Sequence, residues 1–229
     1  MRVYYRITRY LCQMIFYFIW RVRIFGLKNV PASGGVLLAC NHQSFLDPVL
    51  VTLALYREGN YMARDTLFRN KYFRMLIESL NAFPVKRSTA DVGAIKEIIR
   101  RLRDGKVVVT FPEGTRTSDG SILPLHDGSM LVAKRSGAAI VPTLIDGAFE
   151  AWPRTRALPQ FGSIHVCYGR AILSDEAAAL SVEELTRRTE ATLRALQEER
   201  WRKHLPGRRL PGSAVPHSVA AAAGGVARD

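Results

Sequence analysis

Residues 41–47 (NHQSFLD) form a block of polar groups that can do chemistry, with a histidine five positions before an aspartate. A carboxylate bonded to one ring nitrogen fixes the tautomer of a histidine and stabilises its protonated form. The other nitrogen can then take a proton from an alcohol. His42 and Asp47 are therefore predicted to be a general base and its partner. Taken alone, the same pair also fits a turn histidine and a helix cap.

A second block, residues 111–116 (FPEGTR), follows the strongest strand pattern in the chain. It offers a glycine for close backbone approach, backbone N–H groups, a threonine hydroxyl and a guanidinium within one turn. These groups suit a cluster of anionic oxygens such as phosphate. The substrate-binding candidates here are Glu113, Gly114, Thr115 and Arg116.

Other kinds of catalytic site find little support. The sequence contains no GxSxG serine, no HExxH zinc motif and no P-loop. Its three cysteines, Cys12, Cys40 and Cys167, form no CxxC pair, so no metal site and no disulfide framework is predicted. Cys40 lies close to His42, but it falls in an apolar strand where burial makes a thiol unreactive, which disfavours an acyl-cysteine.

The elements that position both blocks alternate between strand and helix patterns, which predicts an α/β fold with a mostly parallel or mixed sheet flanked by helices. Strands are predicted at 36–40, 82–85, 106–111, 139–145 and 163–168. Helices are predicted at 48–56, capped by Asp47, and at 67–80, 90–103, 130–136 and 182–203. The loop 112–127 follows a strand of a parallel sheet, which is where α/β proteins place ligands.

The first 25 residues predict an amphipathic helix lying in a membrane interface. Arg2, Arg6, Arg9 and Gln13 share one helical face, which we expect to meet lipid phosphates, while Phe16, Phe18 and Trp20 enter the acyl chains. The apolar stretch between Arg9 and Arg21 is shorter than the about 20 residues that a span requires. The alternative is a first core helix of a soluble domain.

Three segments follow from these patterns: residues 1–25 as a membrane-interface helix, 26–205 as the single catalytic domain, and 206–229 as a disordered tail rich in Pro, Gly, Arg and Ala.

In the order and spacing of its motifs, the chain resembles the glycerolipid acyltransferase family that includes bacterial 1-acylglycerol-3-phosphate acyltransferases. The resemblance runs from about residue 26 to 170 and includes the NHxxxxD block, residues 82–87 (AFPVKR), the FPEGTR block and residues 140–142 (IVP). It implies that His42 and Asp47 are catalytic. It also implies that Arg87, Glu113, Gly114, Thr115 and Arg116 bind the glycerol phosphate of the acceptor.

The resemblance implies transfer of a fatty acyl group to the free sn-2 hydroxyl of 1-acyl-sn-glycerol 3-phosphate, forming phosphatidic acid in phospholipid biosynthesis. Acyl-CoA or acyl carrier protein would be the thioester co-substrate, with no cofactor. The enzyme would work on the cytoplasmic face of the cell membrane as a peripheral or monotopic protein. The main alternative is an acyltransferase for another lysolipid, because the motifs do not separate acceptors.

The formal net charge of +13 also raises the possibility of a nucleic-acid-binding protein. The sequence shows no helix-turn-helix, RNP-like or zinc-finger pattern, and its arginines are spread over several elements. We therefore expect a membrane and a phosphorylated substrate, rather than a nucleic acid, to be the anionic partners.

Overall fold

The computed structural model describes residues 3–85 and 92–204. Its helices are α1 (Val3–Trp20), α2 (Asp47–Leu50), α3 (Lys71–Ser79), α4 (Val92–Arg103), α5 (Gly128–Ser136), α6 (Ala148–Ala151), α7 (Ser174–Ala179) and α8 (Val182–His204). Its strands are β1 (Arg23–Phe25), β2 (Val36–Cys40), β3 (Gly59–Arg64), β4 (Ala82–Val85), β5 (Val107–Thr110), β6 (Ala139–Asp146) and β7 (His165–Tyr168). Arg87 and residues 206–229 lie outside the described residues.

The strands form one seven-stranded sheet in the order β1-β7-β6-β2-β5-β3-β4. Neighbouring strands run parallel except β6 and β7, which pair antiparallel. Every residue of β2, β5 and β6 is buried, as expected for strands covered on both faces. The predicted α/β class, with a mostly parallel mixed sheet flanked by helices, is confirmed.

Alternate residues of β2 enter two separate cores, one on each face of the sheet. Val36, Leu38 and Cys40 pack with Phe16 and Trp20 of α1 and with the residues around α2. On the opposite face, Leu37 and Ala39 pack with buried residues of α4, α5 and α7. The two-residue period of a strand therefore divides the helices into two layers.

Helix α1 packs against the domain in an orientation that differs from the prediction. Arg9 donates to the carbonyl of Leu55, and Gln13 Nε2 donates to the carbonyl of Leu53 at 2.7 Å, so both polar side chains face the domain. The prediction that these two residues meet lipid phosphates is wrong. The prediction that Phe16 and Trp20 enter the acyl chains is also wrong, because both are buried in the core.

The outer face of α1 is instead apolar. Six large apolar side chains spaced three or four residues apart are each more than half exposed, as in one stripe along a helix: Ile7, Tyr10, Leu11, Met14, Ile15 and Phe18. Arg9 and Gln13 of the polar stripe donate to backbone carbonyls of the domain, which leaves the apolar stripe outside. Within residues 3–85 and 92–204, no helix combines the length and the apolar character needed to span a bilayer.

Several elements differ from those predicted. The helix predicted at 48–56 is the short α2 followed by turns, and its N-cap residue is Leu46, which makes no side-chain cap. The predicted helix 67–80 is divided, because the Asn70 side chain accepts from the backbone N–H groups of Tyr72 and Phe73 and starts α3 afresh.

Strand β3 was missed because its sequence, GNYMAR, lacks a strand pattern. Tertiary contacts make this segment a strand. A Cβ on Gly59 would lie 2.5 Å from the Thr52 side chain, so glycine lets the strand pack closely against the turns that follow α2. The short elements β1, α6 and α7 were also not predicted, because three to six residues carry too little periodicity.

Candidate active site

Both predicted blocks lie at the carboxyl ends of neighbouring central strands. His42 follows β2, and the FPEGTR block follows β5, which pairs in parallel with β2 through Ala39 and Thr110. The backbone N–H of Thr117 donates to the carbonyl of His42 at 2.9 Å, which joins the two loops. The sheet order therefore creates a site from segments about 70 residues apart in the chain.

His42 and Asp47 form a hydrogen-bonded pair with 2.7 Å between Nδ1 and Oδ2. The same carboxylate oxygen accepts from the backbone N–H groups of Gln43 at 2.6 Å and Ser44 at 2.7 Å. The aspartate side chain is completely buried, whereas the histidine side chain keeps 13% of its surface exposed. An ionised Asp47 makes Nδ1 the proton-bearing nitrogen, so Nε2 is the one able to accept a proton.

The surroundings of Asp47 act on its charge in opposite directions. Burial is the largest influence and raises the pKa of this carboxyl, while the hydrogen bonds from His42, Ser44 and Gln43 lower it. The raised pKa means that the site as a whole disfavours the carboxylate relative to water.

Phe111 fixes the plane of the histidine ring. The two rings are stacked with centroids 4.1 Å apart and an interplanar angle of 20°. Sequence reasoning did not assign a role to Phe111, although it is the first residue of the FPEGTR block.

Glu113 contacts residues 41–47, here called the histidine loop. Its side chain is 3% exposed, and Oε1 accepts from the backbone N–H of His42 at 3.2 Å. Burial raises its pKa to about 8, against the hydrogen bonds donated by the backbone of His42 and Leu123. This geometry lets Glu113 hold the histidine loop. Its predicted role in binding the acceptor stays a prediction.

The remaining residues of the FPEGTR block form the open side of the site. Gly114 has φ of +71°, in the left-handed region, and Thr115 is exposed. The Arg116 guanidinium lies over the Phe45 ring at 3.7 Å from its centroid, a cation–π contact that places the charge beside the histidine loop. Of the five residues predicted to bind the glycerol phosphate, Glu113 contacts His42 and Arg116 contacts Phe45, with Gly114 and Thr115 between them in the chain. The fifth, Arg87, is among the residues that the structure does not describe.

Two buried amides that the sequence analysis left without a role hold the loop in place. Asn41 exchanges two hydrogen bonds with the backbone of Ile145 on β6, at 2.9 and 2.7 Å. Gln43 Nε2 donates to the carbonyl of Gly120 at 3.0 Å. Both lie within the NHQSFLD block, so their position beside His42 was the available signal.

An apolar cavity of about 280 Å³ adjoins the site. Phe45, Pro48 and Val49 of the histidine loop and α2 line it, together with residues of α1, β3 and α3. Its lining is mostly hydrocarbon, which suits an aliphatic chain more than a polar group.

Other chemistries have little support in the part of the chain that the structure describes. No group of three or more metal-ligating side chains occurs among residues 3–85 and 92–204. Cys40 is fully buried, and burial raises the pKa of its thiol well above the usual value. Few thiolates would therefore be present for an acyl-cysteine.

Fold and site together describe an α/β protein with a histidine–aspartate pair beside the arginine-bearing FPEGTR loop and an apolar cavity. A protein-family model described as Acyltransferase matches residues 21–146. The chain belongs to this acyltransferase family.

Relatives of named activity extend the comparison. The chain is 30% identical over 179 residues to the 1-acyl-sn-glycerol-3-phosphate acyltransferase of Bacillus subtilis, covering 77% of this chain and 87% of that protein. It is 26% identical to the enzyme of the same name from Pseudomonas aeruginosa, covering 75% and 66%. For the chloroplast enzyme LPAT1 of Arabidopsis thaliana the values are 28%, 72% and 47%, so the match spans about half of that protein.

A solved structure supports the fold. The crystal structure of the 1-acyl-sn-glycerophosphate acyltransferase PlsC from Thermotoga maritima superposes with a TM-score of 0.74 at 24% identity. The match covers 86% of this chain and 79% of that one.

Proposed function

We propose that this protein transfers a fatty acyl group from a thioester to the sn-2 hydroxyl of 1-acyl-sn-glycerol 3-phosphate, forming phosphatidic acid. The observation that carries this proposal is the His42–Asp47 pair, at 2.7 Å, beside the FPEGTR loop. It agrees with the activity named for the relatives from Bacillus subtilis and Pseudomonas aeruginosa.

The reaction needs a base, an anion site and a place for hydrocarbon. His42 Nε2 takes the proton of the acceptor hydroxyl as its oxygen bonds to the thioester carbonyl carbon. Asp47 stabilises the imidazolium so formed. When the carbon–sulfur bond breaks, the imidazolium can return the proton to the departing thiolate, so no protein nucleophile is required.

The acceptor phosphate would bind at the open side of the FPEGTR loop. Arg116 supplies a charge there, and the exposed Gly114–Thr115 segment supplies backbone and hydroxyl donors. Arg87 is proposed as a second cation by its match to the family motif. The apolar cavity beside Phe45 is the proposed place for an acyl chain. The donor is acyl-CoA or acyl carrier protein, with no cofactor.

We further propose that the enzyme works on the cytoplasmic face of the membrane as a peripheral or monotopic protein. This is supported by the exposed apolar stripe of α1 and the net charge of +13. The stripe would enter the interface lengthwise, while the core side of α1 stays packed on the domain.

The test is acyl transfer by the purified full-length chain. Labelled 1-acylglycerol 3-phosphate is incubated with acyl-CoA and with acyl carrier protein thioester separately, and the lipid product is identified by mass spectrometry. Phosphatidic acid is expected, and it should be lost in His42→Ala. A panel of lysophosphatidylcholine, lysophosphatidylethanolamine and acyl amino acids tests the alternative. Acylation of one of these without phosphatidic acid formation would assign a different acceptor.

A further inference from the structure

Helix α3 is left without a covering layer. None of its residues is buried. Its large apolar side chains Tyr72, Met75 and Leu76 are 78%, 65% and 50% exposed. A helix of nine residues is too short to be stable through its own hydrogen bonds and requires packing of its apolar face. Its outer face therefore has the character of a contact surface.

The apolar side chains of α3 cover more of the helix surface than the part that faces the domain. Phe73, Ile77 and Leu80 share one side and line the cavity beside the active site. Tyr72, Met75 and Leu76 lie at spacings of three and one and occupy the adjoining, outward side. These three residues are not among those lining the cavity.

Helix α1 contributes to the same cavity. Thr8, Arg9 and Cys12 of α1 line it together with the residues of α3. On the outer side of α1, Leu11 is 60% exposed and Phe18 is 80% exposed. The two helices thus line one cavity with their inner sides, and each carries exposed apolar side chains on its outer side.

Charge around α3 selects among the candidate partners. Residues 64–78 contain four basic side chains, Arg64, Arg69, Lys71 and Arg74, against two acidic ones, Asp65 and Glu78. Glu78 pairs with Arg74 at 2.8 Å, and all four basic residues are exposed. Apolar side chains bordered by excess positive charge match an anionic lipid surface, in which hydrocarbon lies beneath phosphate.

We infer that the outer face of α3, formed by Tyr72, Met75 and Leu76, is a second membrane-contact surface that binds an anionic bilayer together with α1. The cavity between the two helices then opens toward the bilayer. This inference rests on the proposed function, which takes its acceptor from a membrane. It adds a contact that the amphipathic pattern of residues 1–25 does not contain.

The experiment compares Tyr72→Gln/Met75→Gln with the wild type and a matched control, Leu131→Gln/Leu173→Gln. Glutamine keeps helix propensity and adds no charge, so the variant tests apolar burial alone. Leu131 lies in α5 and is 37% exposed, and Leu173 directly precedes α7 and is 56% exposed. Both lie on the opposite face of the sheet. All three full-length proteins are sedimented with vesicles of phosphatidylethanolamine and phosphatidylglycerol, and with vesicles of phosphatidylcholine.

The α3 variant should lose about tenfold or more in partition onto the anionic vesicles, because two apolar side chains no longer enter the interface. The partition of the control should stay within about twofold of that of the wild type. A tenfold change in partition corresponds to about 1.4 kcal/mol, so the two results are easily distinguished. Turnover of a short-chain, water-soluble acceptor should be unchanged in both, which shows that each variant is folded.

Equal partition of the α3 variant and the control would overturn the inference. A change from dimer to monomer in sedimentation velocity, without a change in vesicle binding, would also overturn it by assigning the surface to a second copy. If the wild type turns over no acceptor, the proposed function fails, while the vesicle comparison still decides the membrane contact. Circular dichroism and the unfolding midpoint then replace turnover as the check of folding.

Discussion

Asp47→Asn should separate catalysis from stability more sharply than any other change at the site. The amide is nearly isosteric, and its oxygen can still accept from the backbone of Gln43 and Ser44, now bonded at 2.6 and 2.7 Å. What disappears is the negative charge beside the histidine ring. The imidazolium that forms during proton removal then lacks its partner.

The magnitude follows from the distance. Two unit charges 2.7 Å apart attract by about 6 kcal/mol at an effective dielectric of about 20. The amide dipole retains part of this interaction, so a fall in kcat of about 10³ to 10⁴ is expected, comparable to the loss of general-base catalysis. The fold should lose little, because burial raises the pKa of Asp47 and the interior therefore disfavours its charge.

The assay pairs initial rates with thermal unfolding. Labelled 1-acylglycerol 3-phosphate is acylated by the wild type, Asp47→Asn and His42→Ala, and each protein is also unfolded by heat. Both variants should be inactive, and the asparagine variant should melt within a few degrees of the wild type. A kcat within tenfold of the wild type would refute the charge argument. A much lower melting temperature would show that the carboxylate supports the fold.

Three further predictions concern Glu113, Arg116 with its neighbour Phe45, and the apolar stripe of α1. Because burial raises the pKa of Glu113 to about 8, its protonated form stabilises the fold fully below about pH 4.5, and this contribution is lost as the pH rises through 8. Glu113→Gln should therefore flatten the decline in unfolding free energy between these values, an effect of at most about 5 kcal/mol in pH-dependent denaturant titrations. Arg116→Ala should raise the acceptor KM about tenfold or more with the donor KM unchanged, and Arg116→Lys should restore the acceptor KM only in part. Phe45→Leu should also raise the acceptor KM, because its ring holds the guanidinium, but it should add nothing when Arg116 is already alanine. Additive effects of the two substitutions would show that the ring does not position the guanidinium. Leu11→Gln/Phe18→Gln on α1 should move the protein toward the soluble fraction, whereas high salt should release little of the wild type; release by salt alone would show that charge holds it.

Deleting residues 1–25 would be a poor test of membrane binding in this protein. Phe16 and Trp20 belong to the core, and β1 pairs with β7 in the sheet. Removing the segment would expose core surface and an unpaired strand edge, so a soluble or aggregated product would report misfolding. Surface substitutions on α1 and α3 leave those contacts in place.

The sequence by itself determined which residues are candidates for the chemistry and where most elements lie. The NHQSFLD and FPEGTR blocks are recognisable because their residues are contiguous and directly follow apolar runs, which are local patterns. The central strands β2, β5 and β6 were predictable for the same reason, since full burial demands an unbroken apolar stretch.

Only the tertiary structure decided how these pieces meet. The pairing of β2 with β5 brings Phe111 and Glu113 against His42, and strand order is not encoded in any local period. The orientation of α1 was likewise undecidable from its pattern, because a helix with polar and apolar stripes can bury either one. Here the domain offers backbone carbonyls to Arg9 and Gln13, since buried carbonyls require donors, and the apolar stripe is left facing outward.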